Sequence, residues 1–260
     1  MSNTGETSAR NLNKVSLPHA VGEPDEDATR SGVPQRDYSA KGNGGVEVFF
    51  KNLELALIDK IANEPASAVV GCVAWLTSIP ILDALGRRNE YGLPRLAVQI
   101  VVNKEDFLRP DSGVVDSQKF WAEIRTRYDA LGGYRGMATW DLSENDEYLY
   151  GDSLDGVRCA GYMDRGNARR MPKMHHKFLV FCGGANGSPA PYAVWTGSYN
   201  LTRNASRSFE NAVFLRDEAI ARAYYREWLQ VFRVSEPLDW NSDHSNPRVS
   251  TLDWQGWSET

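Results

Sequence analysis

The 260-residue sequence is poor in cysteine, and no apolar run is long enough to span a bilayer. Its three cysteines (Cys72, Cys159 and Cys182) stand in apolar surroundings and lack the spacing of metal ligands. An odd number gives no disulfide framework, so we interpret them as core thiols in a reducing compartment. The N-terminal residues are polar and lack the apolar core of a signal peptide. These absences predict a soluble, cytoplasmic protein.

Histidine is also scarce, since the chain contains only four. His19 and His244 lie in polar terminal segments, which leaves the adjacent pair His175 and His176 as candidates for a core site. Adjacent strand residues face opposite ways and no Cys or carboxylate stands at ligand spacing, which disfavours a zinc site. The G-x-S-x-G elbow of Ser-His-Asp hydrolases is absent as well.

The charge is slightly negative overall but unevenly distributed. A net charge of −5 and a pI near 5.5 give no global signature of nucleic-acid binding. Residues 141–155 contain acids and no bases. Residues 158–177 contain a single acid and six bases: Arg158, Arg165, Arg169, Arg170, Lys173 and Lys177. An anionic ligand responds to local charge, so this segment is either a solvated loop or part of a surface for a polyanion.

The pattern of residue types divides the chain into three parts. Residues 1–43 mix polar, charged, Pro and Gly residues without periodicity, which predicts a disordered leader. Residues 44–235 alternate strands with helices, which predicts an α/β domain with a largely buried sheet, interrupted by a Gly-rich, acidic loop at 132–155. Residues 236–260 are predicted to be a tail that docks by its tryptophans. No internal repeat is present in the sequence.

The clearest chemical signal is an apolar run from Met174 to Phe181 with two imidazoles and an ammonium set into it. In a strand, His175 and Lys177 project from the same face, and Ser198 and Asn200 repeat that two-residue spacing. Burial of such groups is unfavourable unless they are paired or used in chemistry. A nucleophile, a cation and two small polar groups are what the transfer of a phosphoryl group requires.

These residues resemble the active-site signature of the phospholipase D superfamily. The match consists of His175-x-Lys177, then Gly197-Ser198-x-Asn200-x-Thr202, then Glu210-Asn211. A lone H-x-K is a weak signal, but the three elements at these distances are specific. The pattern of elements upstream is similar too, so the resemblance covers roughly residues 46–234. It implies a phospholipase D-like sandwich, an α/β fold in which a mixed β-sheet is flanked by helices on both faces.

The resemblance also implies a role for each catalytic residue. His175 would attack phosphorus and form a phosphohistidine intermediate, which water or an alcohol resolves. Lys177 and Asn200 would bind the non-bridging oxygens, and Ser198 would add a hydroxyl donor. Glu210 would orient the histidine and raise its basicity. The remaining predicted substrate contacts are Gly197, Thr202, Arg169, Arg170 and Lys173. Neither a metal nor a cofactor is implied, because protein cations do the electrostatic work.

Two features depart from the family pattern. Cys182 stands five residues after Lys177, where the family motif usually has an aspartate. Chemistry survives this change if the aspartate is neither nucleophile nor acid; otherwise the chain is a degenerate binding homologue. Cleavage also needs a proton donor for the leaving oxygen, and this chain has a single H-x-K. We therefore predict a homodimer in which the two His175 residues face each other across a twofold axis.

The function predicted from these observations is a metal-independent phosphodiesterase, an endonuclease that cleaves DNA or RNA. The basic segment before the motif would hold the polyanionic backbone, with Arg169 and Arg170 setting salt-sensitive binding. One alternative is a phospholipase D that acts on phospholipid head groups or cardiolipin. A second alternative is a catalytically weak binding or scaffold homologue.

Overall fold

The computed structural model describes residues 37–87, 96–105, 108, 118–131, 140–141, 147–150, 155–161, 173–184, 190–239 and 250–253. An eight-stranded sheet forms its centre. In spatial order its strands are Ala40–Lys41 (β1), Val46–Phe49 (β2), Ala212–Leu215 (β10), Ala190–Gly197 (β9), Lys177–Gly183 (β8), Ala68–Val73 (β3), Ala97–Asn103 (β4) and Val157–Ala160 (β7). β3, β4 and β7 are parallel and the other neighbours are antiparallel, so the prediction of a mixed sheet is confirmed.

Helices cover both faces of this sheet, as predicted. Leu53–Asn63 (α1), Ile79–Arg87 (α2) and Gln118–Ala130 (α3) pack on one face, and Glu218–Arg233 (α4) packs on the other. β3 and β4 are buried along their whole length because each face of these strands meets a helix layer. α4 begins at Asp217, whose side chain accepts a hydrogen bond from the backbone N–H of Ile220 at 2.9 Å.

The strand directions bring one set of chain ends to the same edge of the sheet. β3, β4 and β7 end there; β8 and β10 begin there; and β9 and β2 end there. We call this edge the site end. The residues at the site end come from several distant parts of the sequence. The carboxyl ends of parallel strands are the usual place for a functional site in such a sheet.

The prediction of a loop at residues 132–155 is wrong for its described part. Trp140–Asp141 (β5) and Glu147–Tyr150 (β6) are strands, and they form a separate three-stranded sheet with Ser250–Asp253 (β11). β6 pairs with a strand about a hundred residues later in the chain, so its signal is non-local.

The predicted domain boundaries lie close to ordered structure on both sides. Residues 1–36 of the predicted leader lie outside the described residues, whereas β1 adds a strand to the sheet ahead of position 44. On the other side, the backbone of Glu236 exchanges two hydrogen bonds with that of Cys159 in β7, at 2.8 and 2.9 Å. Trp240, Trp254 and Trp257 lie outside the described residues. No helix in the described part of the chain is long and apolar enough to cross a membrane.

Candidate active site

The segment before β8 is held in place by the ends of β3 and β4. The backbone N–H of Met174 donates to Oδ1 of Asn103 at 3.1 Å, and the N–H of Ala74 donates to the carbonyl of His176 at 2.8 Å. The edge of the Trp75 ring meets the His175 ring, with 5.5 Å between the ring centroids. β8 itself starts at Lys177, so the two histidines lie just outside the strand in which the sequence places them.

Glu105 supports both of these contacts. Its Oε1 accepts a hydrogen bond from Nδ2 of Asn103 at 2.7 Å and one from Nε1 of Trp75 at 3.3 Å. Asn103 and Trp75 thereby hold the backbone before His175 and the ring of His175 itself. The sequence did not lead us to predict a role for Trp75, Asn103 or Glu105. The signal that could have indicated it is the polar cluster at Asn103–Glu105, at the end of a buried strand.

His175 and Lys177 lie side by side. The Lys177 ammonium is 3.3 Å from each ring nitrogen of His175 and donates to the His175 carbonyl at 3.0 Å. Within the described residues, Lys177 makes no ion pair with a carboxylate. Partial burial, followed by the positive charges of Lys177, Lys173 and His176, lowers the pKa of His175. The imidazole is therefore neutral near pH 7, which is the form that attacks phosphorus.

Burial also lowers the pKa of Lys177, and the carboxylate of Glu210 opposes this shift. A cation that is partly desolvated interacts more strongly with an anion than one in bulk water. Lys177 is thus suited to binding the oxygens of a phosphate.

Ser198 and Glu210 meet where β9 passes to β10. The Ser198 hydroxyl donates to Oε2 of Glu210 and accepts from the backbone N–H of Asn211 at 3.0 Å. Among the described residues no hydrogen bond joins Glu210 to His175, so the orienting role predicted for Glu210 stays a prediction. A Cβ on Gly197 would lie 2.2 Å from the Asn211 carbonyl oxygen, so only glycine permits β9 to approach β10 this closely.

An open cavity of about 470 Å³ joins these groups at the site end. Its lining combines predicted catalytic residues with the face that lies under α4: His175, His176, Lys177, Phe178, Thr196, Gly197, Ser198, Asn200 and Tyr224. Oδ1 of Asn200 is buried and has no hydrogen-bond partner within the described residues. A buried acceptor on a cavity wall costs free energy unless a donor satisfies it, so this oxygen can accept from a ligand or water, whereas a phosphate oxygen would need the Nδ2 group of Asn200.

His176 lies on the other side of the segment from the Trp75 contact. Its Nε2 is 2.9 Å from Oε1 of Glu227 on α4, and its ring meets Phe178 edge-on at 5.6 Å. The variable position of this residue in the resembled motif predicts a structural role. In the structure His176 also lines the cavity, where its ring contacts the carboxylate of Glu227.

Cys182 lies away from the cavity. Its side chain is fully buried with Val180 and Phe178 in the apolar layer between the sheet and α4. Burial raises the pKa of the Cys182 thiol, which keeps it protonated. The position that carries an aspartate in the resembled family is therefore a core position here, and its replacement leaves the cavity lining unchanged.

The other predicted contacts lie outside the cavity lining or outside the described residues. The hydroxyl of Thr202 accepts a hydrogen bond from the backbone N–H of Ala205 at 3.2 Å, just before the short 3-10 helix Ala205–Arg207. Lys173 is exposed two residues before His175. Arg158 is buried, donates to the Ser235 hydroxyl at 2.8 Å, and is not part of an exposed basic surface. Arg169 and Arg170 lie outside the described residues, so their contacts stay predictions.

Across the described residues, no group of three or more His, Cys, Asp or Glu side chains is placed to hold a metal ion. The cavity offers an imidazole, an ammonium, a hydroxyl and an amide.

Comparisons with known proteins return distant relatives. No family model matches the chain. An uncharacterized protein of Acanthamoeba polyphaga mimivirus is 29% identical over 212 residues, which cover 79% of this chain and 71% of the relative.

Three solved structures are similar in part. NucT from Helicobacter pylori is 15% identical with a TM-score of 0.45, over 74% of this chain and 98% of that one. Nuc from Salmonella typhimurium, a phospholipase D family member, is 15% identical with a TM-score of 0.42, over 74% and 95%. Phosphatidylserine synthase from Haemophilus influenzae is 12% identical with a TM-score of 0.48, over 84% and 48%. The function is therefore inferred from the side chains of the site.

Proposed function

We propose that this protein is a metal-independent phosphodiesterase that works like the phospholipase D superfamily and cleaves nucleic acid. The observation that carries the proposal is the placement of His175 beside Lys177 on one cavity, with Ser198 and Asn200 on its wall. A neutral imidazole, a partly desolvated cation and two polar groups form a set that can attack a phosphodiester and stabilise the charge that develops.

In the first step, a ring nitrogen of His175 attacks phosphorus. The nitrogen–phosphorus bond forms while the bond from phosphorus to the leaving oxygen breaks, and the leaving oxygen takes a proton from an acid. Lys177 and Asn200 stabilise the negative charge on the non-bridging oxygens. Because the Ser198 hydroxyl already donates to Glu210, we assign this pair to holding the cavity wall rather than to attack.

In the second step, water attacks the phosphohistidine. The nitrogen–phosphorus bond breaks, the water oxygen bonds to phosphorus, and the acid that gave its proton takes one back from the water. His175 returns to its neutral form and the product leaves as a phosphate monoester.

We assign the acid to a second copy of the chain, whose own His175 would face this one across a twofold axis. In the predicted homodimer a single H-x-K supplies both nucleophile and acid when the two imidazoles share one proton, so that one copy is neutral and attacks while the other is protonated and donates. Sedimentation combined with kinetics tests it: specific activity should fall as dilution dissociates the dimer. A monomer with full activity would contradict it, and would direct attention to His176 with Glu227 as an acid from the same chain.

The substrate test compares labelled DNA and RNA with phospholipid vesicles, each in the presence of a chelator. We expect cleavage of nucleic acid, and we expect His175→Ala to lower the rate at least about 10³-fold because the nucleophile is lost. His244→Ala, which removes a histidine in the polar C-terminal segment, is the matched control and should retain most of the activity. Turnover of vesicles alone would indicate a phospholipase, and no turnover of any phosphodiester would indicate a binding protein.

A further inference from the structure

Three aromatic side chains are exposed at the site end of the sheet. Phe209 is 69% exposed, Tyr38 is 68% and Phe50 is 42%. Among the described residues, the other large hydrophobic side chains that are exposed are aliphatic: Leu55, Ile220 and Val234. Single exposed hydrophobics are common on protein surfaces, but here all three exposed aromatic side chains of the described residues lie at the site end.

The strand pairing places these aromatics in a row that starts at the cavity. Phe209 precedes Glu210, which is bonded to Ser198. β2 pairs with β10 so that Phe49 lies opposite Ala212, and Phe50 is the next residue out at the same end. The N–H of Phe50 donates to the hydroxyl of Ser39 at 3.1 Å, which puts Tyr38 beside it. We call Phe209, Phe50 and Tyr38 the aromatic row.

The length of the aromatic row suits a polymer. β1 is three strands from β9, and neighbouring strands are about 4.8 Å apart, so the row extends about 14 Å from Ser198. That is the length of about four stacked nucleotides at roughly 3.4 Å each.

The charges around the aromatic row are mixed. Asp37 bonds to both the N–H and the hydroxyl of Ser39, and Lys51 lies close enough to lower the pKa of its carboxyl after those bonds. On the cavity side of the row, Arg203 is exposed and Lys177 supplies the cation for a phosphate. A ligand that is anionic at the cavity and flat and apolar along the row fits this arrangement.

We propose that the aromatic row stacks the bases of a single-stranded nucleic acid whose scissile phosphate lies at His175 and Lys177. Base stacking on aromatic side chains does not depend on sequence, because every base has a flat face. Bases in a duplex are already stacked on each other, so the row selects single strands. This inference rests on the proposed function and names its substrate class.

Binding is measured with full-length protein carrying His175→Ala, so that cleavage does not interfere. Fluorescence anisotropy compares a trinucleotide, an octanucleotide of thymidine and a duplex, all in the presence of a chelator. We expect the octanucleotide to bind more tightly than the trinucleotide. Phe209→Ala and Phe50→Ala should each weaken octanucleotide binding about 10-fold, and Phe209→Trp should restore it. Val234→Ala removes an exposed hydrophobic that follows α4 on the β7 side of the sheet, away from β1 and β2, and should change nothing.

The alternatives give different results. If the row inserts into lipid, the variants lose binding to anionic vesicles and keep octanucleotide binding, which overturns the inference. If the row is a dimer contact, sedimentation shows dissociation of the variants, which overturns it as well. Thermal unfolding of each variant shows whether weaker binding comes from loss of the aromatic row or from loss of the fold. Tyr38→Ala is the variant least expected to affect folding, because Tyr38 is the most peripheral residue of the row.

Failure of this inference can be distinguished from failure of the proposed function. Cleavage of bis(4-nitrophenyl) phosphate needs only the cavity, so in an intact His175 background Phe50→Ala should cleave it like the wild type. Normal cleavage with unchanged octanucleotide binding refutes the row alone. Stacking without cleavage of any diester refutes the proposed function and leaves the row in place.

Discussion

Two lysines at the site end of the sheet face opposite situations. Lys104 follows β4, its side chain is fully buried, and its ammonium is 2.7 Å from Oε1 of the equally buried Glu236. Lys177 begins β8, is half-buried, and turns its ammonium to the His175 ring beside an open cavity. Both lysines thus lie at strand ends of the same sheet.

The difference lies in what neutralises each charge. Glu236 compensates the burial of Lys104, so this pair joins the chain after α4 to the end of β4. Among the described residues Lys177 contacts His175, lies over the Trp75 ring at 6.0 Å and makes no ion pair with a carboxylate, so an anion that enters the cavity stabilises its charge. A buried charge that is paired with an opposite charge thus has a structural role. A partly buried charge without a carboxylate partner beside an open cavity indicates a binding site.

The largest expected effect is on stability. Lys104→Met should lower the free energy of unfolding by about 3–5 kcal/mol, because it leaves the carboxylate of Glu236 buried without its cation. Chemical denaturation measures this. The double change Lys104→Met with Glu236→Leu should recover part of the loss, whereas an equal or greater loss in the double variant would show that the pair itself is not the cause.

Lys177→Met should act on the rate instead. We expect kcat to fall about 10²–10³-fold, because the cation that stabilises the phosphate oxygens is lost. Its effect on unfolding should be small, since no buried partner is left behind. Steady-state kinetics with parallel denaturation curves tests both halves.

Lys177→Arg is the control for charge alone. It keeps the positive charge but changes the reach and geometry of the donor, so partial activity is expected. If Lys177→Met destabilised the protein as much as Lys104→Met while the surviving folded protein kept its rate, the contrast between the two lysines would be wrong.

A smaller effect is expected at the position that differs from the family motif. Cys182→Asp introduces a carboxyl group into the apolar layer under α4, so it should lower stability by about 1–3 kcal/mol without raising activity. Cys182→Ser is the polar control of similar size. A rise in activity with Cys182→Asp would show that this position acts on the cavity.

The sequence was sufficient for the sheet and the helices because their signals are local. The apolar runs at residues 68–75 and 96–102 and the alternation with helices predict covered strands, which are observed at Ala68–Val73 and Ala97–Asn103. It was insufficient for β6, since Glu147–Tyr150 pairs with Ser250–Asp253 and no local pattern names a partner that distant.

The candidate site likewise has a part that local sequence predicts and a part that depends on contacts between distant segments. The spacing of His175 and Lys177 predicts that they lie together, because neighbours in sequence stay neighbours in space. The support from Trp75, Asn103 and Glu105 comes from two other strand ends, and only the order of strands in the sheet brings it there. The contact of Glu210 with Ser198 likewise depends on how β9 pairs with β10.

The smallest expected effect concerns pH. Burial and then the charges of Lys177, Lys173 and His176 lower the pKa of His175, so the attacking neutral form persists below the ordinary value of 6.5. kcat/KM should therefore fall on the acid side with a midpoint below pH 6.5. Lys173→Gln removes one positive neighbour, so the pKa of His175 rises and this midpoint moves up.

The direction in which the acid-side midpoint of kcat/KM moves also tests whether Lys104 and Lys177 differ in their effect on the charge at the cavity. Lys104 is neutralised by Glu236 and does not contribute to the lowered pKa of His175, so Lys104→Met should leave the midpoint in place in the protein that remains folded. High salt should shrink the shift from Lys173→Gln, since Lys173 is exposed and screened. A midpoint that moves down with Lys173→Gln, or moves equally with Lys104→Met, would mean that the acid limb does not report His175.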